Sequence, residues 1–156
     1  MKKQTVKAFA TMSLIITLAT VSAVISASAQ SSDMKVIASI PFDFTIGRQV
    51  MPAGEYTVRR LSQNSNALLI QSADGSASRI VQPILTQSAK EQEQGKLVFH
   101  RYGNQYFLSQ IWSAGETVGN ELRKSAAERE LERSMSRSEH AKNAPQKEKV
   151  VLVARH

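Results

Sequence analysis

Aromatic residues are concentrated in the middle of this chain. The sequence holds nine aromatic side chains, and eight of them lie between Phe42 and Trp112. Because aromatic side chains bury large areas in protein cores, the folded core is predicted to lie within residues 34–116. Beyond Asn120 the composition changes, since residues 121–149 hold 14 charged side chains and no aromatic one. That composition is typical of a solvated helix or a disordered tail.

Alternation of apolar and polar residues predicts β-strands in this middle region. Phe42, Phe44 and Ile46 alternate with polar residues, which is the period of a half-buried strand. Turn residues recur at short intervals, as at residues 52–54 and 74–75. The sequence therefore predicts a mainly β fold, a small antiparallel β-sandwich or barrel, with a C-terminal charged α-helix.

Two hairpins are predicted, one turning at residues 74–75 and the other at residues 103–104. Their expected opposite pairs are Leu68 with Val81, Leu69 with Ile80, Phe99 with Leu108, His100 with Phe107, and Arg101 with Tyr106. Strict alternation in the second hairpin puts Leu108 on one face and Ile111 on the other. Since both faces carry apolar residues, we expect this hairpin to be central and covered on both sides, or to have one face covered by a partner.

The N-terminus has the layout of a secretory signal peptide. A basic head with Lys2, Lys3 and Lys7 precedes an uncharged, mostly apolar run over residues 8–29 that ends in Ala-Ser-Ala. We expect cleavage after Ala29 and export to the periplasm or the extracellular space. The alternative is an uncleaved membrane anchor, because 22 residues are long enough to span a bilayer.

Charge and cysteine content exclude several classes of function. The chain has a net charge of +7, of which three positive charges belong to the signal lysines, and it has no cysteine. The remaining charge is too mild for a nucleic-acid-binding surface, and thiol chemistry and disulfides are excluded. Adjacent Arg59 and Arg60 point to opposite faces of a strand, so they are not expected to form one anion site.

The predicted organisation has four parts. They are a signal peptide at residues 1–29, a β-rich domain at 30–120, a charged helix and linker at 121–149, and a possible last strand at 150–156. In the third part Ser125 and Glu128 fit a capping box, which predicts a helix from about residue 126 to about residue 140.

Two rows of side chains run along the predicted helix. The narrow apolar row is Ala127, Leu131 and Met135, and the basic row beside it is Arg129, Arg133 and Arg137. The simplest interpretation is a solvated helix that rests one edge on the domain. The alternative is a helix whose basic row contacts an acidic partner or anionic lipid headgroups.

No catalytic, cofactor or metal site is predicted. The sequence lacks the motifs of serine-hydrolase elbows, metalloprotease helices and phosphate-binding loops. His100, His140 and His156 share no spacing that suits a metal. Ser109 lies on the same face of the hairpin as His100 but about two residues along the partner strand. We therefore interpret His100 as a cross-strand histidine beside Tyr102.

Four segments carry a resemblance to a known group of proteins. They are IPFDFTIG at residues 40–47, MPAGEYTV at 51–58, KLVFHRYG at 96–103 and YFLSQIW at 106–112. Together these segments resemble a group of short exported bacterial proteins of uncharacterised function. The resemblance implies export and no specific activity, ligand or catalytic residue.

These features favour an exported, non-enzymatic β domain. It is expected to be a binding or structural module of the cell envelope, with an unknown envelope partner, no cofactor and no nucleic-acid partner. One alternative is a protein that associates with anionic membranes or polyanions through its basic row. A second alternative is a hydrolase whose site is assembled by the fold from residues distant in sequence.

Overall fold

The fold is a two-sheet β-structure with one helix near its C-terminus. A computed structural model describes residues 34–138 and 147–155. The predicted signal peptide and part of the predicted linker lie outside them. The expected mainly β fold, with antiparallel-rich sheets in a sandwich-like arrangement and a C-terminal helix, is confirmed.

The first sheet has four antiparallel strands in the order β1-β4-β5-β6. Their bounds are β1 Lys35–Ile40, β4 Gly54–Arg60, β5 Leu68–Ser72 and β6 Ser78–Val81. Alternate residues of β1 are buried, so Val36, Ala38 and Ile40 face the core while Lys35 points to solvent. This is the period-2 pattern of a sheet with one covered face.

The second sheet has seven strands. Five follow the order β11-β8-β9-β10-β7, and β2 joins β9 in parallel while pairing with β3. The bounds are β2 Phe44–Ile46, β3 Gln49–Met51, β7 Ile84–Gln87, β8 Lys96–Tyr102, β9 Gln105–Trp112, β10 Val118–Glu121 and β11 Lys147–Val153.

The core lies between the two sheets and is built around aromatic residues. Phe44 contacts both Tyr56 of the first sheet and Phe99 of the second, with ring centroids 5.1 and 5.5 Å apart in edge-to-face geometry. Such pairs add to the stabilisation from burial alone. The concentration of aromatic residues in the middle of the sequence therefore locates the core correctly.

Both predicted hairpins form, and all five predicted opposite pairs are present. The first turn differs in detail. The N–H of Gly75 donates to the carbonyl of Ser72, so the turn comprises residues 72–75 and Gly75, at φ 75°, is its fourth residue. In the second hairpin Gly103, at φ 59°, is the first of two loop residues, a position that favours glycine.

One prediction for the second hairpin is wrong. Phe99 lies opposite Leu108 and Val98 lies opposite Gln110, so Ser109 is an extra residue on β9 and forms a β-bulge. The bulge shifts the alternation by one residue beyond it. Ile111 therefore faces the core, on the same side as Leu108, and not the opposite face as strict alternation predicts.

Helix α1 spans Ala126–Ser138 and begins where the capping signal predicts. The N–H of Glu128 donates to the Ser125 hydroxyl at 3.0 Å, which is half of the predicted capping box. The predicted apolar row needs correction, because Ala127 is exposed and Glu128 is the residue buried at that end. The half-buried face of the helix then continues through Leu131 and Met135.

The last strand begins and ends three residues earlier than predicted and is an integral part of the second sheet. β11 begins at Lys147, three residues before the predicted start at residue 150, and pairs with β8 along seven residues. Val150 and Leu152 pack against the core, and Ala154 is buried beyond them. The charged C-terminal portion is thus not left entirely in water.

Candidate functional site

A groove opens where the start of the first sheet approaches the far edge of the second. Its volume is about 430 Å³, within the range of small-molecule sites. One wall is the start of β1, at Met34, Lys35 and Val36, and the opposite wall includes residues of β7 and β10. The sandwich is therefore open on this side, where two sheet edges leave a cleft between them.

Three cations line this groove. They are Lys35 on β1, Arg60 at the end of β4 and Arg155 just beyond β11. Backbone pairing holds all three segments together, because the N–H of Arg60 donates to the carbonyl of Met34 and that of Arg155 to the carbonyl of Ile37. Glu116 is the single acidic residue among those lining the groove, so the groove is net positive.

Arg60 is the most unusual of the three cations. Its Nε atom is buried, and it has no hydrogen-bond partner among the residues that the structure describes. A buried donor without an acceptor costs roughly 1–3 kcal/mol, so native proteins seldom keep one. Arg59 is exposed while Arg60 lines the groove, so the two arginines do not share one site, as predicted for adjacent residues of a strand.

The wall at β7 and β10 carries two exposed apolar side chains beside the polar residues Glu116 and Asn120. Leu85 of β7 and Val118 of β10 are 59 % and 42 % exposed, which is high for side chains of this type. Asn120 lies opposite Leu85 in the sheet and is itself buried, with its amide Nδ2 3.4 Å from the sulfur of Met34. The groove thus joins a cationic side to a side that carries two exposed apolar side chains.

A second depression, of about 410 Å³, lies along the loop before β8. It is lined mainly by residues 90–96, whose charges are of both signs. No buried unpaired donor faces it among the described residues. The groove at Arg60 is therefore the better candidate for a binding site.

A buried polar network forms a separate cluster on the outer face of the second sheet. The hydroxyl of Ser109 is 3.1 Å from His100 Nε2, and His100 Nδ1 is 2.7 Å from Oε1 of Glu128. The hydroxyl of Tyr102 donates to the same carboxylate oxygen at 3.3 Å. Glu128 is 4 % exposed and Ser109 is 6 % exposed, so the network is shielded from solvent.

The chemistry of the partners assigns the direction of these bonds. A carboxylate only accepts, so Nδ1 of His100 carries a proton toward Glu128. In the neutral ring Nε2 then accepts from the hydroxyl of Ser109. Burial together with the charge of Glu128 raises the pKa of the Tyr102 phenol well above its usual value. Tyr102 therefore remains a neutral donor.

The bulge and the helix together build this network. Ser109 is the bulge residue of β9, and its hydroxyl reaches His100 although His100 lies opposite Phe107, two residues earlier. The helix cap places Glu128 in the first turn, but its carboxylate bonds the sheet and not its own helix N-terminus. Sequence reasoning identified His100 and Ser109 but not Glu128, because no local spacing links the helix to the strand.

This order of serine, histidine and carboxylate matches the groups used in nucleophilic catalysis. Glu128, however, lies on the helix that covers the network. Moving α1 away to admit a substrate would remove the carboxylate that orients His100. None of the three residues lines either of the two grooves described above. The arrangement is therefore better suited to fastening α1 to the sheet.

The basic row of the helix lies apart from both clusters. Arg129, Arg133 and Arg137 are all exposed. Arg133 lies 3.5 Å from Glu130, and Arg129 donates to the carbonyl of Lys124. The basic row thus faces solvent, and two of its arginines contact groups in the helix or just before it.

Across residues 34–138 and 147–155 no group of three or more acidic or histidine side chains is placed to hold a metal ion. In this part of the chain no helix has the length and apolar character needed to cross a bilayer.

Comparison with known proteins gave no match to a family model, a curated protein or a solved structure.

Proposed function

We propose that this protein is an exported, non-enzymatic β-sandwich that binds an anionic ligand of the cell envelope in the groove at Arg60. Export rests on the signal-peptide pattern of the first 29 residues. The ligand carries an anionic group beside an apolar portion, because cations line one side of the groove while Leu85 and Val118 line the other.

The three cations that line one groove are the observation that carries this proposal. A bound carboxylate or phosphate would accept from the guanidinium group of Arg60, and arginine matches both groups in bidentate geometry. Lys35 and Arg155 line the same groove and form no ion pair with any described residue. Their charges are thus available to the same anion.

Calorimetric titration with sodium octanoate tests the proposal, since this probe combines a carboxylate with an apolar chain. Arg60→Gln is expected to weaken binding about tenfold, which corresponds to loss of one charge-assisted bond. The matched control is Arg59→Gln, which removes a neighbouring charge from the exposed face of the same strand. Equal affinity of the two variants, or no binding by the unmodified protein, would contradict the proposal.

The second candidate function is a serine hydrolase. The 3.1 and 2.7 Å contacts of His100 favour it, since they reproduce a nucleophile, a base and an orienting carboxylate. Labelling by a fluorophosphonate probe distinguishes the two functions. Labelling that Ser109→Ala abolishes would support the hydrolase, whereas we expect no labelling because Ser109 is buried.

Association with anionic surfaces is a separate candidate, favoured by the exposure of all three arginines in the basic row. Binding to vesicles of anionic lipid would then fall with added salt and with joint replacement of Arg129, Arg133 and Arg137 by Gln. Binding that instead depends on Arg60 would assign the anion site to the groove.

A further inference from the structure

Strand β7 is an open sheet edge beside the groove. In the described ranges it pairs only with β10, so its other side presents backbone N–H and C=O groups. Natural sheet edges are usually protected by charged residues or proline. β7 has neither within Ile84–Gln87, whereas the opposite edge strand β11 carries Lys147, Glu148 and Lys149.

The edge and the groove share residues. Leu85 of β7 lines the groove, as does Asn120, its partner across the sheet. Ile84 belongs to the other face of the strand and is 43 % exposed. A strand added beside β7 would therefore direct every second side chain toward the groove and its cations.

We infer that the ligand of the groove is an extended peptide with a free C-terminal carboxylate and an apolar side chain near that end. The peptide adds to the second sheet by pairing with β7, and its carboxylate reaches Arg60, Lys35 and Arg155. This inference rests on the proposed function, because it uses the same cations. Strand addition supplies affinity through the backbone, while the groove selects the terminus.

Two other occupants fit the observations less well. A lipid could place an anionic headgroup near Arg60, but it offers no backbone groups to the open edge of β7. A second copy that paired edge to edge would bring the uncharged strand Ile84–Gln87, which carries no anion for the cations. A peptide with a free terminus satisfies both the backbone edge and the charges.

Three synthetic peptides test the inference by fluorescence anisotropy against the purified protein. The first is a dye-labelled Thr-Val-Thr-Ile-Thr-Val with a free C-terminus, the second is its C-terminal amide, and the third is the free acid with alternate amides N-methylated. Amidation removes the negative charge of the C-terminus, and N-methylation removes the backbone N–H groups that would pair with β7. Each change is expected to weaken binding about tenfold or more. Arg60→Gln should reduce the preference for the free acid, and Arg59→Gln should leave it unchanged.

The outcomes separate this inference from the proposed function. If octanoate binds but the three peptides do not differ, the groove is an anion site and the peptide inference is overturned. If neither octanoate nor any peptide binds, both fail. Binding to anionic vesicles that the free-acid peptide does not displace would assign the groove to lipid. Edge-to-edge dimers that the peptide does not dissociate would assign β7 to a second copy.

Discussion

Glu128 and His100 join the helix to the sheet, with 2.7 Å between the carboxylate of one and Nδ1 of the other. They are 28 residues apart in sequence, and both are largely withdrawn from solvent. Because Glu128 also accepts from Tyr102, one buried carboxylate fixes two side chains of β8. The first turn of α1 is thereby held against the outer face of the second sheet.

Replacing Glu128 is expected to release the helix. Glu128→Ala leaves His100 Nδ1 and the Tyr102 hydroxyl without their acceptor, which should lower the free energy of unfolding by about 2–3 kcal/mol. Hydrogen exchange should accelerate in α1 and change little in the sandwich. Glu130→Ala, on the exposed side of the same helix, is the control. Equal effects of the two variants would show that the buried contact does not hold the helix.

Residue 119 must be glycine because the backbone there lies close to the indole ring of Trp112. A Cβ at residue 119 would lie 2.6 Å from the indole ring, whereas one at Gly54 would meet only a 3.9 Å contact. Gly119→Ala should therefore cost about 1–3 kcal/mol of stability, and Gly54→Ala much less, as chemical denaturation would measure. In a Trp112→Leu background the cost of Gly119→Ala should shrink. An unchanged cost would mean that the ring is not the obstacle.

Acid is expected to weaken the attachment of the helix near Lys124. The hydrogen bond from Lys124 holds the pKa of Glu132 below its usual 4.5. Because the folded-state pKa is depressed, this contact stabilises the fold above the ordinary value and is lost as pH falls through the lowered one. Both side chains are about one-third exposed, so the effect should stay below about 1 kcal/mol.

Replacing either partner tests this pH dependence. Urea denaturation of Glu132→Gln across acidic pH should show a flatter loss of stability than the unmodified protein shows. Lys124→Gln removes the main contact of Glu132 and should flatten the curve less than Glu132→Gln does, because Lys147 still lies 3.4 Å from Glu132. A steeper curve in either variant would contradict the assignment.

Alkali is expected to act through Tyr102. Burial, followed by the charge of Glu128, raises the pKa of the Tyr102 phenol. A raised folded-state pKa contributes stability that is present below the ordinary value of 10.0 and is lost as pH rises through the raised value. Tyr102→Phe should therefore show a shallower loss of stability above that ordinary value. Burial also raises the pKa of the Tyr56 phenol, so the Tyr102→Phe variant should still lose some stability in alkali.

The sequence was sufficient to predict the local elements of this fold. The alternation around Phe44, the glycine turns and the cap at Ser125 are short-range signals, so the strands beside them, the hairpin pairs and the helix start followed from them. The short strands β3, β7 and β10 carry no such signal and were not predicted. The bulge at Ser109 was not predicted, because nothing in the alternation shows which strand carries an extra residue. Its consequence, the inward position of Ile111, was missed for the same reason.

Both candidate sites depend on contacts between distant segments. Lys35, Arg60 and Arg155 meet only because β1, β4 and the end of the chain come together, and no spacing in the sequence links them. Glu128 was assigned to the helix cap, whereas its carboxylate reaches His100 on the sheet. Sequence reasoning could separate Arg60 from Arg59, but it could not place a groove beside Arg60.

Mapping the free-acid peptide by amide NMR tests the central claim most directly. The claim predicts that backbone amides of Met34–Val36, Arg60 and Ile84–Gln87 shift on titration, while those around Glu128 and the basic row do not. The Arg60→Gln variant should show these shifts only at markedly higher peptide concentration. Shifts confined to α1, or an unchanged titration in Arg60→Gln, would contradict a binding site in the groove.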